Sequence, residues 1–505
     1  MIMNKNYKRI LNKVWSFNLS IFFLLLLMTL NGCKKLVEAP PPTNQVSEKN
    51  VFSTDATAIG VLTDIYATMN AFDGPFSGYK STSIYTGLSS DELTLYSGAL
   101  GGALERYYYN DLSGILLSGH ELWAPLYNFV YRCNAAIKGL DASTSLTPAV
   151  KNQLLGEARF MRAFYYFYLT NLYGDVPLAL TIDADVNSLL KRVPKADVYQ
   201  QIITDLKDAA ERLSNTFLNI TLSASTTERV RPTKWAAKAL LARAYLYTNK
   251  NAEAEAMATE VINNSSLFTL PTNLNQVFLK NSKEAIWQLQ PTLEGFNTME
   301  AYVMIVPPTG PDAYINSVYL SDQLLNSFEA SDLRAIPGNW IDAVVVGSDT
   351  YKYANKYKQN QYDPNITGSA ATFYMTEYFM VLRLAEQYLI RAEARAQQNN
   401  LSGAIADIDK IRQRAGLPLI ANTNPGINQS ALLNAILHER QVELFTELGQ
   451  RWFDLKRTGK VNAVMSLVTP QKTNNTIQWR SYQQLYPVSY LELQRAPNLA
   501  QTPGY

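Results

Sequence analysis

The sequence predicts a mainly α-helical protein in which packed helix pairs form a superhelical body beside a loop-rich lobe with short β-strands. Apolar residues recur at helical spacing in many segments after position 55. Small residues recur at a fixed distance across short polar turns, as they do where two helices approach closely. Two long stretches are rich in Gly, Pro, Ser, Asn and Tyr and contain only short strand-like runs.

The helical period is clearest in the first segment, where Ile59, Leu62 and Ile65 fall on one face. Further segments repeat this pattern along the chain, separated by short polar turns or by the two long stretches. The predicted helices are residues 56–69, 122–140, 154–173, 198–213, 233–247, 252–262, 382–397, 401–414 and 430–445.

Two of the helix pairs resemble each other. Ala242 and Ala254 lie 12 residues apart across a polar turn, and so do Ala392 and Ala404. This spacing matches the small packing positions of a tetratricopeptide helix pair. The two pairs are far apart in the chain, so they are predicted to be units of one helical body interrupted by insertions. Ala-rich helix pairs of other kinds pack in the same way, and the spacing alone leaves that alternative open.

The predicted insertions span residues 72–119 and 268–378. Their strand-like runs are short, for example Ala285–Leu289 and Ala343–Val346. Loops of this length in a folded protein usually carry function.

Composition excludes several classes of protein. The chain has 505 residues with 45 Lys and Arg, 43 Asp and Glu, two His and two Cys. A disulfide framework and a His-rich metal site are excluded, and the charge balance gives no reason to expect a nucleic-acid partner. Cys133 lies in an apolar helical segment and is expected to be a buried structural residue.

No catalytic motif was found. His120-Glu121 and His438-Glu439 begin like a zinc-protease helix, but Ala124 and Val442 stand where the second histidine would be required. The short Asp183-Ala184-Asp185 run is of a kind that occurs by chance. We therefore predict no catalytic residues, no metal ligands and no cofactor. A carboxylate pair for glycoside hydrolysis stays open, because the separation of such a pair is set by the fold.

The N-terminus is predicted to be a lipoprotein signal. Basic residues from Lys5 to Lys13 precede an apolar run at 21–30, which is short for a membrane span of about 20 residues. Leu30-Asn31-Gly32-Cys33 then resembles a bacterial lipobox, so residues 1–32 are predicted to be removed and Cys33 to be lipidated. Residues 33–50 are predicted to be a polar, proline-containing tether before the body at 51–505. An ordinary signal peptide with a coincidental cysteine is the alternative.

Aromatic residues are in surplus. The chain has 31 Tyr, and many fall within the two insertions. A rigid aromatic ring suits the apolar face of a sugar or a peptide side chain, while Asn, Asp and backbone groups suit polar edges. The alternative for each ring is that it packs a loop onto the helices.

Four stretches resemble the SusD/RagB family of outer-membrane nutrient-uptake lipoproteins of Bacteroidota. They occur in family order and extend to the last residue, so the resemblance covers essentially the whole chain. They are 157–178 (EARFMRAFYYFYLTNLYGDVPL), 231–246 (RPTKWAAKALLARAYL), 439–457 (ERQVELFTELGQRWFDLKR) and the terminal 485–488 (LYPV) with 498–505 (NLAQTPGY).

The resemblance implies four tetratricopeptide-like units beside an irregular lobe, at the outer membrane and facing the cell exterior. It also implies a binding protein without catalysis or cofactor, which captures an oligosaccharide or an oligopeptide and delivers it to a SusC-like TonB-dependent transporter. By position, Tyr96, Phe296, Tyr302 and Tyr314 resemble sites where relatives present aromatic rings to a glycan.

The motif residues of the resemblance are expected to be structural. Trp452 and Phe453 should lie in the core, while the charges of Arg451 and Asp454 hold the chain end. The Arg159 and Arg162 pair is expected to act similarly. One departure concerns orientation: Lys34-Lys35 follow Cys33, whereas exported relatives often carry acids there.

Two other functions remain open on the sequence. A tetratricopeptide scaffold would recruit protein partners through a smooth concave groove, although the long aromatic insertions argue against it. A glycoside hydrolase would need two carboxylates facing each other across an aromatic cleft.

Overall fold

The described part of the computed structural model (residues 51–72, 74–117, 121–361 and 374–505) is mainly helical, as predicted. Phe52–Tyr505 form one compact unit. The predicted signal peptide, the lipobox with Cys33 and the tether lie outside the described residues. No described helix is both long enough and apolar enough to cross a bilayer.

All nine predicted helices are present, with ends that agree to within a few residues except that the third begins six residues earlier, and the described residues contain nine further α-helices that were not predicted. In chain order the helices are α1 Asp55–Met69, α2 Thr82–Ser89, α3 Ala103–Tyr108, α4 Trp123–Ala142, α5 Pro148–Tyr173, α6 Ala184–Ser188, α7 Lys195–Arg212, α8 Lys234–Tyr247, α9 Asn251–Ile262, α10 Met299–Met304, α11 Asp322–Leu325, α12 Leu384–Gln397, α13 Leu401–Arg414, α14 Ile420–Thr423, α15 Gln429–Leu444, α16 Gln450–Arg457, α17 Val461–Lys472 and α18 Tyr490–Arg495.

The long helices pack in sequence order to form the body. α4 packs on α5, α5 on α7, α7 on α8 and α8 on α9, and α12 packs on both α13 and α15. α9 also packs directly against α12, although the second insertion separates them in the chain. The insertion therefore leaves the helical array and returns to it without breaking the stack.

The small residues that predicted the helix pairs are all buried. Ala242, Ala254, Ala392 and Ala404 each have no exposed surface. Because these side chains are small, the helices of each pair can approach closely. The 12-residue spacing thus identified real helix–helix contacts.

α5 lies at the centre of the body. Pro148 opens it, and it ends at Gly174, whose φ of 75° is a conformation that glycine adopts without strain. Its C-terminal half is buried on nearly every side, and Phe164 packs against both Phe76 and Trp287 at ring-centroid distances of 5.2 and 5.6 Å. This helix joins the body to the first insertion and to a strand of the lobe.

The strands are short and pair in twos. They are β1 Leu93–Leu95, β2 Val176–Pro177, β3 Arg192–Val193, β4 Ala285–Leu289, β5 Val318–Leu320, β6 Ile341–Val346, β7 Asp349–Ala354 and β8 Phe379–Arg383. The pairs β1–β5, β2–β3, β4–β8 and β6–β7 are all antiparallel. β1–β5 connects the two insertions, so together they form one lobe.

The first insertion is more ordered than predicted, because it contains the buried helix α2. Polar side chains bond to its own backbone: the hydroxyl of Thr86 donates to the carbonyl of Thr82, and that of Ser89 to the carbonyl of Tyr85. A helix that is buried on all sides and rich in Ser and Thr shows no apolar stripe. The period-based prediction missed it for that reason.

The motif arginines were expected to hold the chain end, and this was wrong for Arg159, Arg162 and Arg451, which bind other partners. Arg162 makes two hydrogen bonds to Asp205, and Arg159 pairs with Asp208, so both tie α5 to α7 rather than to the chain end. Arg451 makes two hydrogen bonds to Asp91, at 2.8 and 2.6 Å, and so holds the segment that enters β1.

The expectation about the neighbouring aromatic residues was correct. Trp452 and Phe453 are buried in the core. Asp454 accepts hydrogen bonds from Arg440 on α15 and from Arg457 on its own helix, α16. Asp454 therefore joins α15 to α16 within the body, whereas Arg451 joins the body to the first insertion.

Candidate ligand-binding face

Two of the predicted site residues lie together in one aromatic cluster. Phe296 and Tyr302 pack edge to face with ring centroids 4.9 Å apart, and Phe72 lies 6.1 Å from Tyr302 and 5.4 Å from Tyr79. We call these four residues the Tyr302 cluster. Each of them is half-buried, so part of the cluster faces solvent.

The backbone that carries Tyr302 is fixed by polar side chains. Thr298 caps α10 by accepting from the backbone N–H of Ala301. The side-chain amide nitrogen of Asn316 lies within hydrogen-bonding distance of the carbonyls of Tyr302, Val303 and Ile305, at 2.7, 3.1 and 3.0 Å. The helix is only six residues long, so these contacts rather than helix propensity hold it in place.

Tyr96 lies in a second cluster. Its backbone N–H donates to the carbonyl of Ser317 at 2.8 Å, which extends the β1–β5 pairing by one residue. Its ring lies 6.2 Å from Tyr351 of β7, which in turn lies 5.2 Å from Tyr319 of β5. We call Tyr96, Tyr319 and Tyr351 the Tyr351 cluster.

The two clusters are connected through adjacent residues. Asn316 fixes the turn after α10, and Ser317 pairs with Tyr96. The segment between α10 and β5 thus positions both clusters in the same lobe.

Tyr314 lies on a turn in this connecting segment and is the most exposed of the predicted residues, at 79%. One carboxylate oxygen of Asp312 accepts from the backbone N–H groups of Tyr314 and Ile315, at 2.6 and 2.7 Å, and the other lies 3.3 Å from the N–H of Asn316. The backbone is therefore fixed while the ring stays in solvent. The structure brings Phe296 and Tyr302 into direct contact, whereas Tyr96 and Tyr314 lie on adjoining parts of the lobe.

Sequence reasoning did not nominate Phe72, Tyr79, Tyr319 or Tyr351. The signal for two of them was present as strand alternation, since Tyr319 and Tyr351 stand in short runs of alternating side chains. Phe72 carried no comparable local signal, because it joins the cluster only when the first insertion folds against α10.

Two buried carboxylates support the elements of this face. Burial raises the pKa of Glu300 on α10 to about 8, and both of its oxygens lack a hydrogen-bond partner within the described structure. Burial, together with the neighbouring charge of Asp91, also raises the pKa of Glu92, just before β1, to about 8. At neutral pH both groups are therefore mostly protonated. They fill buried space without adding negative charge to it.

A metal centre is not found in the described ranges, where no three His, Cys, Asp or Glu side chains gather in a suitable way. His438 instead bonds through its ring nitrogen to the carbonyl of Ser327 at 2.8 Å. His120 lies outside the described residues.

Known protein families and relatives are similar to this chain in sequence. A family model described as "SusD family" matches residues 335–505, and one described as "Starch-binding associating with outer membrane" matches residues 116–246. "SusD-like protein P2" of Formosa agariphila is 27% identical, with the alignment covering 96% of this chain and 99% of the relative. These likenesses support the SusD/RagB family for this chain, the family that its four motifs indicated.

Solved structures share the fold. A SusD superfamily protein from Bacteroides vulgatus superposes with a TM-score of 0.74 at 22% identity, covering 89% of this chain and 99% of that one. "Surface glycan-binding protein A" from Bacteroides uniformis superposes with a TM-score of 0.73 at 21% identity, with the same coverage. The predicted combination of a helical body and a loop-rich lobe with short strands is confirmed by this likeness.

Proposed function

We propose that this protein captures an oligosaccharide at the outer membrane, without catalysis, and passes it to a SusC-like TonB-dependent transporter. The observation that carries the proposal is the pair of half-exposed aromatic clusters on one lobe. A family model whose description names starch binding and outer-membrane association supports it, as does the structural likeness to a protein named for binding surface glycans.

The arrangement of the rings suits sugars. Edge-to-face contacts of 4.9 and 5.2 Å hold Tyr302 and Tyr351 against their neighbours, so little side-chain entropy remains to be lost on binding. A half-exposed ring fixed in this way offers a flat apolar surface to the C–H face of a pyranose. The hydroxyls of Tyr96, Tyr302 and Tyr314 can serve as donors or acceptors for the sugar hydroxyl groups.

Binding without catalysis fits two carboxylates on the elements that carry Tyr302 and Tyr314. Asp312 is occupied by backbone N–H groups, and the Glu300 side chain is buried. Neither is placed to act as one of the two opposed carboxyl groups of a glycosidase. Assay of the purified protein for release of reducing ends would reveal hydrolysis directly.

The proposal is tested by calorimetry of the full chain in a polyoxyethylene detergent, which contributes no sugar headgroup. Plant, host and fungal oligosaccharides and a peptide pool are titrated in turn. For the sugar that binds, Tyr302→Ala and Tyr96→Ala should each weaken binding by about 1 kcal/mol or more. Tyr490→Ala is the matched control, because that ring is exposed on α18 and outside both clusters. Equal losses in all three variants, or binding only to peptides, would contradict the proposal.

The membrane attachment is tested separately through Cys33. The Cys33→Ser protein should move from the membrane pellet to the supernatant, since attachment is proposed to depend on the acyl chains. Persistence in the pellet after a salt wash would contradict lipidation at this residue. Co-purification of a TonB-dependent transporter with the wild-type chain would test the partner.

A further inference from the structure

A groove outside both aromatic clusters runs along α1. One end is a cavity of about 600 Å³ between α1, the loop at 218–231 and the segment after β4. Its walls include Ala67, Leu218, Val230 and Leu289. The volume is within the range of small-ligand pockets, but the cavity is open along one side.

The groove continues toward the start of α1. A second cavity, of about 660 Å³, shares Thr63, Ala67 and Ile220 with the first and extends over Ile59 and Gly60. A Cβ atom at Gly60 would meet no other atom within 4 Å, so the floor is open at this point. The two cavities form one elongated channel that is better matched to an extended chain than to a compact molecule.

The walls are aliphatic. Ile220 is 75% exposed at the edge shared by both cavities, and Pro291 and Met375 add further apolar surface. The aromatic ring in the lining, that of Tyr66, is mostly buried, and its hydroxyl donates to Glu157 at 2.6 Å. The described residues of the groove therefore offer no exposed ring on which a sugar could stack, which separates the groove chemically from the aromatic clusters.

Carboxylates dominate the charge of the lining, which contains Asp55, Asp64, Glu228 and Glu294. Arg231 is the single basic residue among the described residues of the lining. Arg231 donates to the buried Glu157 at 2.8 Å and to Thr63 at 2.7 Å, so its charge is balanced from beneath. Arg132 pairs with Asp64, Lys280 lies 3.8 Å from Glu228, and Asp55 accepts from the backbone N–H of Thr147 at 2.9 Å. Among the described lining residues and these partners, acids still outnumber bases.

We propose that this groove binds an extended segment of a partner protein in which aliphatic side chains alternate with lysine or arginine. The aliphatic side chains fill the channel, and the basic side chains meet its carboxylates. The groove is thus a protein-interaction site that is independent of carbohydrate binding.

The test uses the full chain in the same detergent and a fluorescein-labelled decapeptide of alternating leucine and lysine. Two matched peptides replace lysine by glutamate, or leucine by serine. Fluorescence anisotropy should show saturable binding of the leucine–lysine peptide and binding at least about tenfold weaker for each of the others. Equal binding of the glutamate peptide, or no binding of any peptide up to about 1 mM, would overturn the proposal.

Site-directed variants locate the binding. Gly60→Trp places a large side chain in open space on the groove floor and should weaken the leucine–lysine peptide at least about tenfold. Thr68→Trp, at an exposed position of α1 outside the groove, should change the affinity less than about twofold. Unchanged affinity in the Gly60→Trp protein would show that the peptide binds elsewhere. Sedimentation of the chain alone measures its oligomeric state. A dimer that Gly60→Trp abolishes would mean that a second copy occupies the groove, and the proposal would be wrong.

Discussion

The body and the lobe satisfy their buried polar groups in different ways. In the body, charged side chains bind one another: Arg243 of α8 makes two hydrogen bonds of 2.6 Å to Glu386 of α12. At the junction with the lobe, Arg383 contacts Glu284, Glu443 and Glu447 at 2.8, 2.6 and 2.7 Å. In the lobe, single side chains satisfy several backbone groups, as Asn316 does for three carbonyls. The ion pairs between side chains hold helices together, and the hydrogen bonds from side chains to backbone groups fix the irregular backbone of the lobe.

This difference explains why the candidate site lies on the lobe. In the body, aromatic rings are buried in the packing between helices: Tyr165, Tyr166 and Tyr168 of α5 are all fully buried. In the lobe a few Asn and Asp residues hold the backbone, so rings need not be buried to fix the fold. Tyr302 and Tyr351 can then remain half-exposed at fixed positions. Binding surfaces are commonly built in this way, on loops held by a rigid scaffold.

The largest expected effect is where the body joins the lobe. Arg383→Met removes a cation shared by three carboxylates, which keep Arg414 or Lys356 as partners. Removing one partner of a buried ion pair typically costs about 3–5 kcal/mol, and urea unfolding should show a loss approaching this size. The matched control is Arg495→Met, because Arg495 is 69% exposed in its pair with Glu492 and its loss should cost less than about 1 kcal/mol. Similar losses in both variants would mean that the buried network does not set the stability of the body.

A pH-dependent effect of comparable size is expected in the lobe. The pKa of Glu300 is raised to about 8 in the folded protein by burial, against the ordinary value of 4.5 that applies when the chain is unfolded. The folded state therefore holds a proton that the unfolded state releases between these two values. The stability contributed by the protonated group is complete below about pH 4.5, is lost as pH rises toward 8, and falls no further above that.

Glu300→Gln removes this titration while keeping the shape of the side chain. The free energy of unfolding of the variant, relative to wild type, should rise between pH 5 and pH 8 by roughly 4 kcal/mol and then level off. Glu253→Gln, at an exposed position on α9, is the control for loss of a surface carboxylate. A difference between Glu300→Gln and wild type that stays constant with pH would show that Glu300 does not titrate in this window.

The body could be predicted from sequence because its signals are local. Ile59, Leu62 and Ile65 report the buried face of α1 directly, and Ala242 with Ala254 reports a helix–helix contact across one turn. The stacking of α9 on α12 had no such signal, because the contact joins segments that are separated by the whole second insertion.

The candidate site was predicted only in part for the same reason. Phe296 and Tyr302 are six residues apart, and the structure places them in contact. Phe72 comes to Tyr302 from the other insertion, and Tyr96 comes to Tyr351 through a strand pairing between the two insertions. Contacts of this kind depend on tertiary structure, which no periodicity in one segment encodes.

A smaller effect is expected from the backbone contacts of the lobe. Asn316→Asp replaces an amide donor by a carboxylate that faces three carbonyl oxygens, at a cost of about 1–3 kcal/mol. Hydrogen exchange should accelerate at residues 299–305 and remain unchanged in α5. Asn187→Asp, at an exposed amide that donates to the carbonyl of Thr181, is the control and should cost less than about 1 kcal/mol. If α10 stays protected in the Asn316→Asp protein, these hydrogen bonds do not hold the Tyr302 cluster in place.

The smallest effect on stability is expected at Tyr314, and it separates fold from function most sharply. Asp312 holds the turn through backbone N–H groups, so Tyr314→Ala removes an exposed ring and leaves every one of those bonds in place. The free energy of unfolding should change by less than about 0.5 kcal/mol. If the ring forms part of the carbohydrate face, affinity for the sugar that binds the wild type should nevertheless fall about fivefold or more. Asp312→Ala makes the opposite change: it removes the hydrogen bonds that hold the turn and leaves the Tyr314 ring in the chain. A loss of affinity in both variants would show that the ring acts from a fixed position, whereas full affinity in Tyr314→Ala would limit the binding face to the two clusters.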